Sequence, residues 1–184
     1  MKKQFDRVYQ FRVGLEETRP PVWRRIQVPE TYTFWDLHVA IQNAMGWSDY
    51  HLHEFRFLYP RTGGETRIGI PDEDDIGFGR EVLSGLKEKI SDYFTREGLS
   101  AEYTYDFGDC WIHKVTFEKI LEREEGIGYP ICVKGKRACP PEDCGGAGGY
   151  YELLKAMKDA NHERHEEMLD WLGGEFDAEH FDPG

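Results

Sequence analysis

The sequence predicts an α+β fold: a mixed or antiparallel sheet, opened by a β-grasp-like strand–strand–helix–strand unit and finished by C-terminal helices. Three observations lead there. Residues 8–15 alternate apolar with polar side chains, the period of a half-buried strand. Residues 33–46 space their apolar side chains three or four apart between a capping residue and a glycine. The last third of the chain returns to helical spacing after a stretch rich in Gly, Pro and Cys. At 184 residues the chain fits one domain, 1–184, with no internal repeat and no linker. A chain of this size buries about 70% of its unfolded surface, so neither a disulfide nor a metal is needed for folding.

Along Val8–Leu15, Tyr9, Phe11, Val13 and Leu15 share one face, while Gln10 and Arg12 share the other. Thr18-Arg19-Pro20-Pro21 interrupts the strand, and Val22–Val28 resumes it as the second arm of an antiparallel hairpin. Thr33 opens a helix with Asp36 as its capping-box partner. Phe34, Leu37, Ile41, Ala44 and Met45 line one face, and Gly46 closes it. His51–Leu58 is the next strand. Residues 60–80 read as loop, with turn chemistry at Arg61-Thr62-Gly63-Gly64 and an acidic run at Pro71-Asp72-Glu73-Asp74-Asp75. The spacing of Leu83, Leu86, Ile90 and Phe94 predicts a helix over 81–94, against the breaking tendency of Ser84-Gly85. Ala101–Asp106 and Cys110–Ile120 form a hairpin around Phe107-Gly108-Asp109. Cys132–Gly149 reads as irregular, Tyr150–Ala160 as a helix, and Asn161 as the cap of a second helix over His162–Leu172. Phe176 and Phe181 are placed to pin the tail to the body.

With 35 acidic against 23 basic residues the net charge is −12, which repels phosphate backbones and disfavours direct nucleic-acid binding. Arg19, Arg24 and Arg25 are a local basic group, read as a solvated strand edge. The N-terminal residues lack an apolar signal core, and no run approaches the ~18 apolar residues of a membrane span. The expected location is the cytoplasm, with no membrane contact and with Cys110, Cys132, Cys139 and Cys144 reduced.

Chemistry concentrates in three places. At the 105–113 hairpin, Asp106, Asp109, Cys110 and His113 cluster within a few residues. Asp106 or Asp109 beside His113 would make a carboxylate–imidazole pair suited to acid–base catalysis. The structural alternative has the aspartates bonding turn amides and His113, on the face of Trp111, Val115 and Phe117, as a core residue. His51 and His53 occupy alternate strand positions and can chelate one metal, although their face continues into Phe55 and Phe57, a core pattern. Cys132, Cys139 and Cys144 lack paired zinc-site spacing and read as small buried thiols in a stiff loop. Gly145-Gly146 ahead of a helix suggests a phosphate cradle, but no Lys or Ser/Thr follows at the positions such a loop needs. Trp111, Glu142 and Asp143 complete the set as binding candidates, and no cofactor is expected.

Several segments together carry a resemblance: Arg19-Pro20-Pro21-Val22-Trp23-Arg24-Arg25; Thr33-Phe34-x-Asp36-Leu37-His38 ending at Gly46-Trp47; and His51-x-His53-x-Phe55. Tyr105-Asp106-Phe107-Gly108-Asp109-x-Trp111-x-His113, Pro140-Pro141-Glu142-Asp143-x-Gly145-Gly146 and the ending Trp171-Leu172-Gly173-Gly174 join them. The chain resembles the plasmid pRiA4b ORF-3-like family, whose members include passenger proteins of insertion elements. The resemblance implies an architecture and a mobile-element context, and no catalytic residue. The function expected is a non-enzymatic interaction or accessory module whose acidic surface suits a basic protein partner. The alternative is a small acid–base or metal-assisted hydrolase at the 105–113 hairpin.

Overall fold

The two-residue alternation at the start of the chain builds β1 (Arg7–Leu15), which pairs antiparallel with β2 (Trp23–Pro29) in the register Phe11↔Ile26. The structure is a computed structural model and describes residues 5–59, 63–71 and 81–183. Helix α1 (Phe34–Met45) has the expected boundaries. Thr33 Oγ1 accepts from Asp36 N at 3.2 Å, Asp36 Oδ2 accepts from Thr33 N at 2.9 Å, and Gly46 takes the left-handed conformation at φ 85°. Phe34, Leu37, Ile41 and Met45 are buried as the spacing required.

There follow β3 (His53–Tyr59), β4 (Gly64–Gly69), β5 (Val82–Ser84), the single-turn α2 (Ile90–Tyr93), β6 (Ser100–Tyr105), β7 (Trp111–Glu122), β8 (Ile131–Lys136), α3 (Gly146–Lys158) and α4 (His165–Leu172). Among the described residues the strands form one eight-stranded sheet in the order β5-β4-β3-β6-β7-β1-β2-β8. Among these described strands only the β4–β5 pair is parallel. The fold is thus mixed α+β. The element order β1-β2-α1-β3 is the expected one, but β6 and β7 lie between β3 and the opening hairpin, so the β-grasp likeness extends no further than that order. The core is aromatic, with Phe34 against Phe55 at 5.1 Å and Phe11 against Phe94 at 4.8 Å between ring centroids.

Four sequence expectations change. Within 60–80, residues 64–69 are not loop but β4, paired to β3 through Phe55↔Ile68; the acidic residues 72–75 lie outside the described residues. The helix expected over 81–94 is instead β5, a turn and α2. The backbone of Gly85 is engaged elsewhere, donating to Gly69 O at 2.8 Å and accepting from Trp35 N at 3.0 Å, and Leu86 is 67% exposed. Residues 132–149 are not wholly irregular, since β8 pairs with β2 and α3 begins at Gly146. Asn161 caps nothing: α4 begins at His165 and its N-cap Arg164 makes no side-chain capping bond.

Arg19 is exposed as expected, but the other two members of the basic group are used internally. Arg24 is buried and donates Nε to Ala44 O at 2.8 Å, while Arg25 grips Glu118 through two bonds of 2.6 and 2.8 Å. The Arg24 guanidinium also lies 4.7 Å from the Phe181 ring, and Phe176 meets Tyr150 edge-on, so both tail aromatics pack as expected. Among the described residues no helix is long and apolar enough to cross a membrane.

Candidate functional site

Segments that lie far apart in sequence meet where α1 ends. Trp47 follows the helix, stacks on Tyr105 at 5.0 Å and donates its indole N–H to Pro140 O at 2.8 Å. Glu142 accepts from Ser48 N at 2.8 Å and from the Tyr105 hydroxyl at 2.5 Å. Asp106 N donates to Leu52 O at 2.9 Å, and Asp109 Oδ2 accepts from Gly145 N at 3.1 Å, just ahead of α3. The 46–52 loop, the β6–β7 hairpin and the 140–146 loop are each tied to the other two. Carboxylate groups at a helix start also complement its dipole.

Two polar clusters result. In the first, His51 Nε2 lies 3.0 Å from Asp143 Oδ1 and 3.6 Å from Asp106 Oδ2, yet this buried atom makes a hydrogen bond to neither. Asp106 is buried, has φ 56°, and accepts from Gly108 N at 2.8 Å through its other oxygen. Asp143 has φ 58° and also lines a cleft of about 280 Å³ with Arg164, Glu167 and Trp171.

In the second cluster, the buried His38 has Nδ1 2.8 Å from the Tyr103 hydroxyl and Nε2 2.7 Å from Asp49 Oδ1. Burial lowers the His38 pKa to about 4, so the ring is neutral. A carboxylate only accepts; the single proton therefore sits on Nε2, and Nδ1 accepts from Tyr103, whose oxygen receives a bond from Gln42 Nε2 at 2.9 Å. His53 stacks on His38 at 3.5 Å with Nδ1 unpartnered, and burial, reinforced by His38, lowers its pKa to about 3. Asp49 is pushed upward by burial.

The structure therefore separates His51 from His53. His53 begins β3 and turns into the core, whereas His51 lies in the bend before the strand, where alternation does not apply. Each has its own carboxylate company: His38, Asp49 and His53 form one potential ligand group, and His51, Asp106 and Asp143 the other. His113 does not pair with Asp106 or Asp109. It is fully buried, its Nδ1 lies 3.0 Å from Trp111 O and 3.2 Å from Tyr103 O, and its Nε2 has no partner. Those carbonyls fix the proton on Nδ1, and burial lowers the pKa to about 4. Trp111 is buried near Trp47 and offers no surface to a ligand. Glu142 and Asp143 sit at the junction, the first as a strap and the second facing His51.

The thiols of Cys139 and Cys144 are both pushed up by burial to about 12, and Cys139 Sγ packs 3.5 Å from Met45 Sδ. Among the described residues neither potential ligand group includes a cysteine. Sequence reasoning passed over His38, Asp49 and Tyr103 as site residues. His38 was findable, because it falls on the apolar stripe of α1 next to Leu37 and Ile41. Asp49 carried no such signal.

A helix-backed mixed sheet whose loops converge on two polar clusters defines an α+β protein. The chain belongs to the plasmid pRiA4b ORF-3-like family, whose model matches residues 7–184. It is 36% identical over 167 residues to the uncharacterized protein y4hQ of Sinorhizobium fredii, covering 90% of this chain and 81% of that one. It is also similar to the crystal structure of a protein of unknown function, MM3350 from Methanosarcina mazei Go1, with a TM-score of 0.86 and 50% identity across 98% of this chain and 97% of that chain.

Proposed function

We propose that the protein is a non-enzymatic interaction module, an accessory to another protein in the mobile-element setting that the family resemblance implies. One observation carries the reading. Tyr50, Leu52 and Phe107 are 80%, 54% and 56% exposed on two loops locked together by the Asp106 N to Leu52 O bond. Large apolar side chains held out on a rigid frame suit a docking surface. The net charge of −12 favours a partner with a basic contact face. The hydrolase alternative at 105–113 has less support, because His113 has no carboxylate partner.

A photo-crosslinking residue placed at position 50 tests this in cells of the source organism. The expected result is one discrete protein adduct that disappears when Leu52→Asp and Phe107→Asp are added, with the unfolding temperature of the purified variant unchanged. A diffuse ladder or no adduct at all sinks the reading.

A further inference from the structure

We propose that His51, Asp106 and Asp143 form a binding site for a divalent transition-metal ion, Zn²⁺ or Mn²⁺, at the junction of the three loops. The site is independent of any partner at Tyr50 and stands or falls separately.

Distance is the first argument. An ion about 2.1 Å from each donor holds neighbouring ligand atoms about 3.0 Å apart in octahedral and about 3.4 Å apart in tetrahedral geometry. His51 Nε2 lies 3.0 Å from Asp143 Oδ1 and 3.6 Å from Asp106 Oδ2, which brackets both, and all three donor atoms lie within 4.8 Å of one another. Direction is the second. A hydrogen bond needs the oxygen on the N–H axis, whereas an ion on that axis needs its other ligands to the side. Asp143 Oδ1 lies within reach of His51 Nε2 but off the axis a hydrogen bond needs, Asp106 Oδ2 is too distant for one, and the buried Nε2 is left without a hydrogen bond.

Charge and rigidity agree. Two carboxylates directed at one point call for a cation, and an imidazole with carboxylates selects a first-row divalent ion over Mg²⁺ or Ca²⁺. Asp106 is buried and fixed through Gly108 N, while Glu142, next to Asp143, is strapped to Ser48 and Tyr105. Asp143 is 66% exposed, so one side of the ion would face solvent, the open arrangement of a site that takes a further ligand. The second histidine group is the weaker candidate, since both nitrogens of His38 already have hydrogen-bond partners.

The test uses the untagged full chain, stripped with EDTA, dialysed into chelator-free buffer and titrated calorimetrically with Zn²⁺ or Mn²⁺. One equivalent is expected to bind. His51→Ala and Asp143→Asn should each weaken binding by at least about 100-fold, the upper end of what losing an outer-shell partner costs. Asp49→Asn and Asp109→Asn should leave the affinity unchanged. Co²⁺ in place of Zn²⁺ should show visible absorption that Asp143→Asn abolishes; the exposed position of Asp143 keeps that variant folded. Binding of neither ion, an affinity that Asp143→Asn leaves intact, or a loss that follows Asp49→Asn instead would overturn the proposal.

Discussion

Among the described residues three imidazoles are buried, and each handles its proton differently. His38 donates its Nε2–H to Asp49 and accepts from Tyr103; His113 donates its Nδ1–H to backbone carbonyls; His53 lies flat against His38 with Nδ1 unpartnered. An unpaired buried donor costs about 1–3 kcal/mol. Asp49→Ala should therefore destabilise by about that much by stranding His38 Nε2–H, with a further loss because Asp49 has φ 59°. Asp49→Asn keeps both an acceptor and tolerance of the left-handed region, so it should cost less. Equal losses in urea unfolding would show that the Asp49 bond does not hold the ring. At this scale the sequence was legible where a residue's neighbours along the chain are its neighbours in space. Gly108 N bonding Asp106 is the turn-amide role the hairpin suggested. His51 and His53 do not pair because His51 lies in the bend before β3, and Asp109 and His113 do not because Asp109 turns to Gly145 N while His113 turns to backbone carbonyls.

Elements with local causes were readable for the same reason. The Thr33–Asp36 box and Gly46 bound α1 whatever lies around it. The strands β4 and β8 were not readable, because pairing to β3 and β2 makes them strands. The start of α3 is another tertiary feature: a glycine-rich run becomes helix where Asp109 receives Gly145 N. Gly146 has φ 65°, and a Cβ there would stand 2.5 Å from Asp109 O. Gly146→Ala should destabilise by at least about 1–2 kcal/mol, the cost of a left-handed residue, by pushing the hairpin off the helix. Gly148 has open space around it inside the same helix, so Gly148→Ala should be neutral or add up to about 1 kcal/mol. Urea midpoints of the two variants moving in the same downward direction would refute this account of the junction.

For the whole molecule, the same histidines set the response to acid. Their ordinary pKa is 6.5, and burial holds it at about 4 for His38 and His113 and about 3 for His53. Between those values and 6.5 the unfolded chain binds protons that the folded chain refuses, so stability falls as pH falls. Each group contributes up to about 1.4 kcal/mol per pH unit within its window and nothing above it. An opposing effect exists, because acid also relieves the self-repulsion of a chain with net charge −12. Those charges are solvated and screened beyond about 8–10 Å at ordinary salt, whereas the imidazoles are buried, so the histidines should win. Urea unfolding in EDTA, followed by tryptophan fluorescence, should give a flat stability from pH 8 to about 7 and a steepening loss towards pH 4.5, with slopes above one proton per molecule. Replacing His53 by Phe should lower the slope throughout the range from about pH 6.5 to 4.5, by the contribution of one of the three rings. A stability constant from pH 7 to pH 5 would mean that these rings take up protons without leaving the core, and the neutral-imidazole description of the second cluster would have to be abandoned.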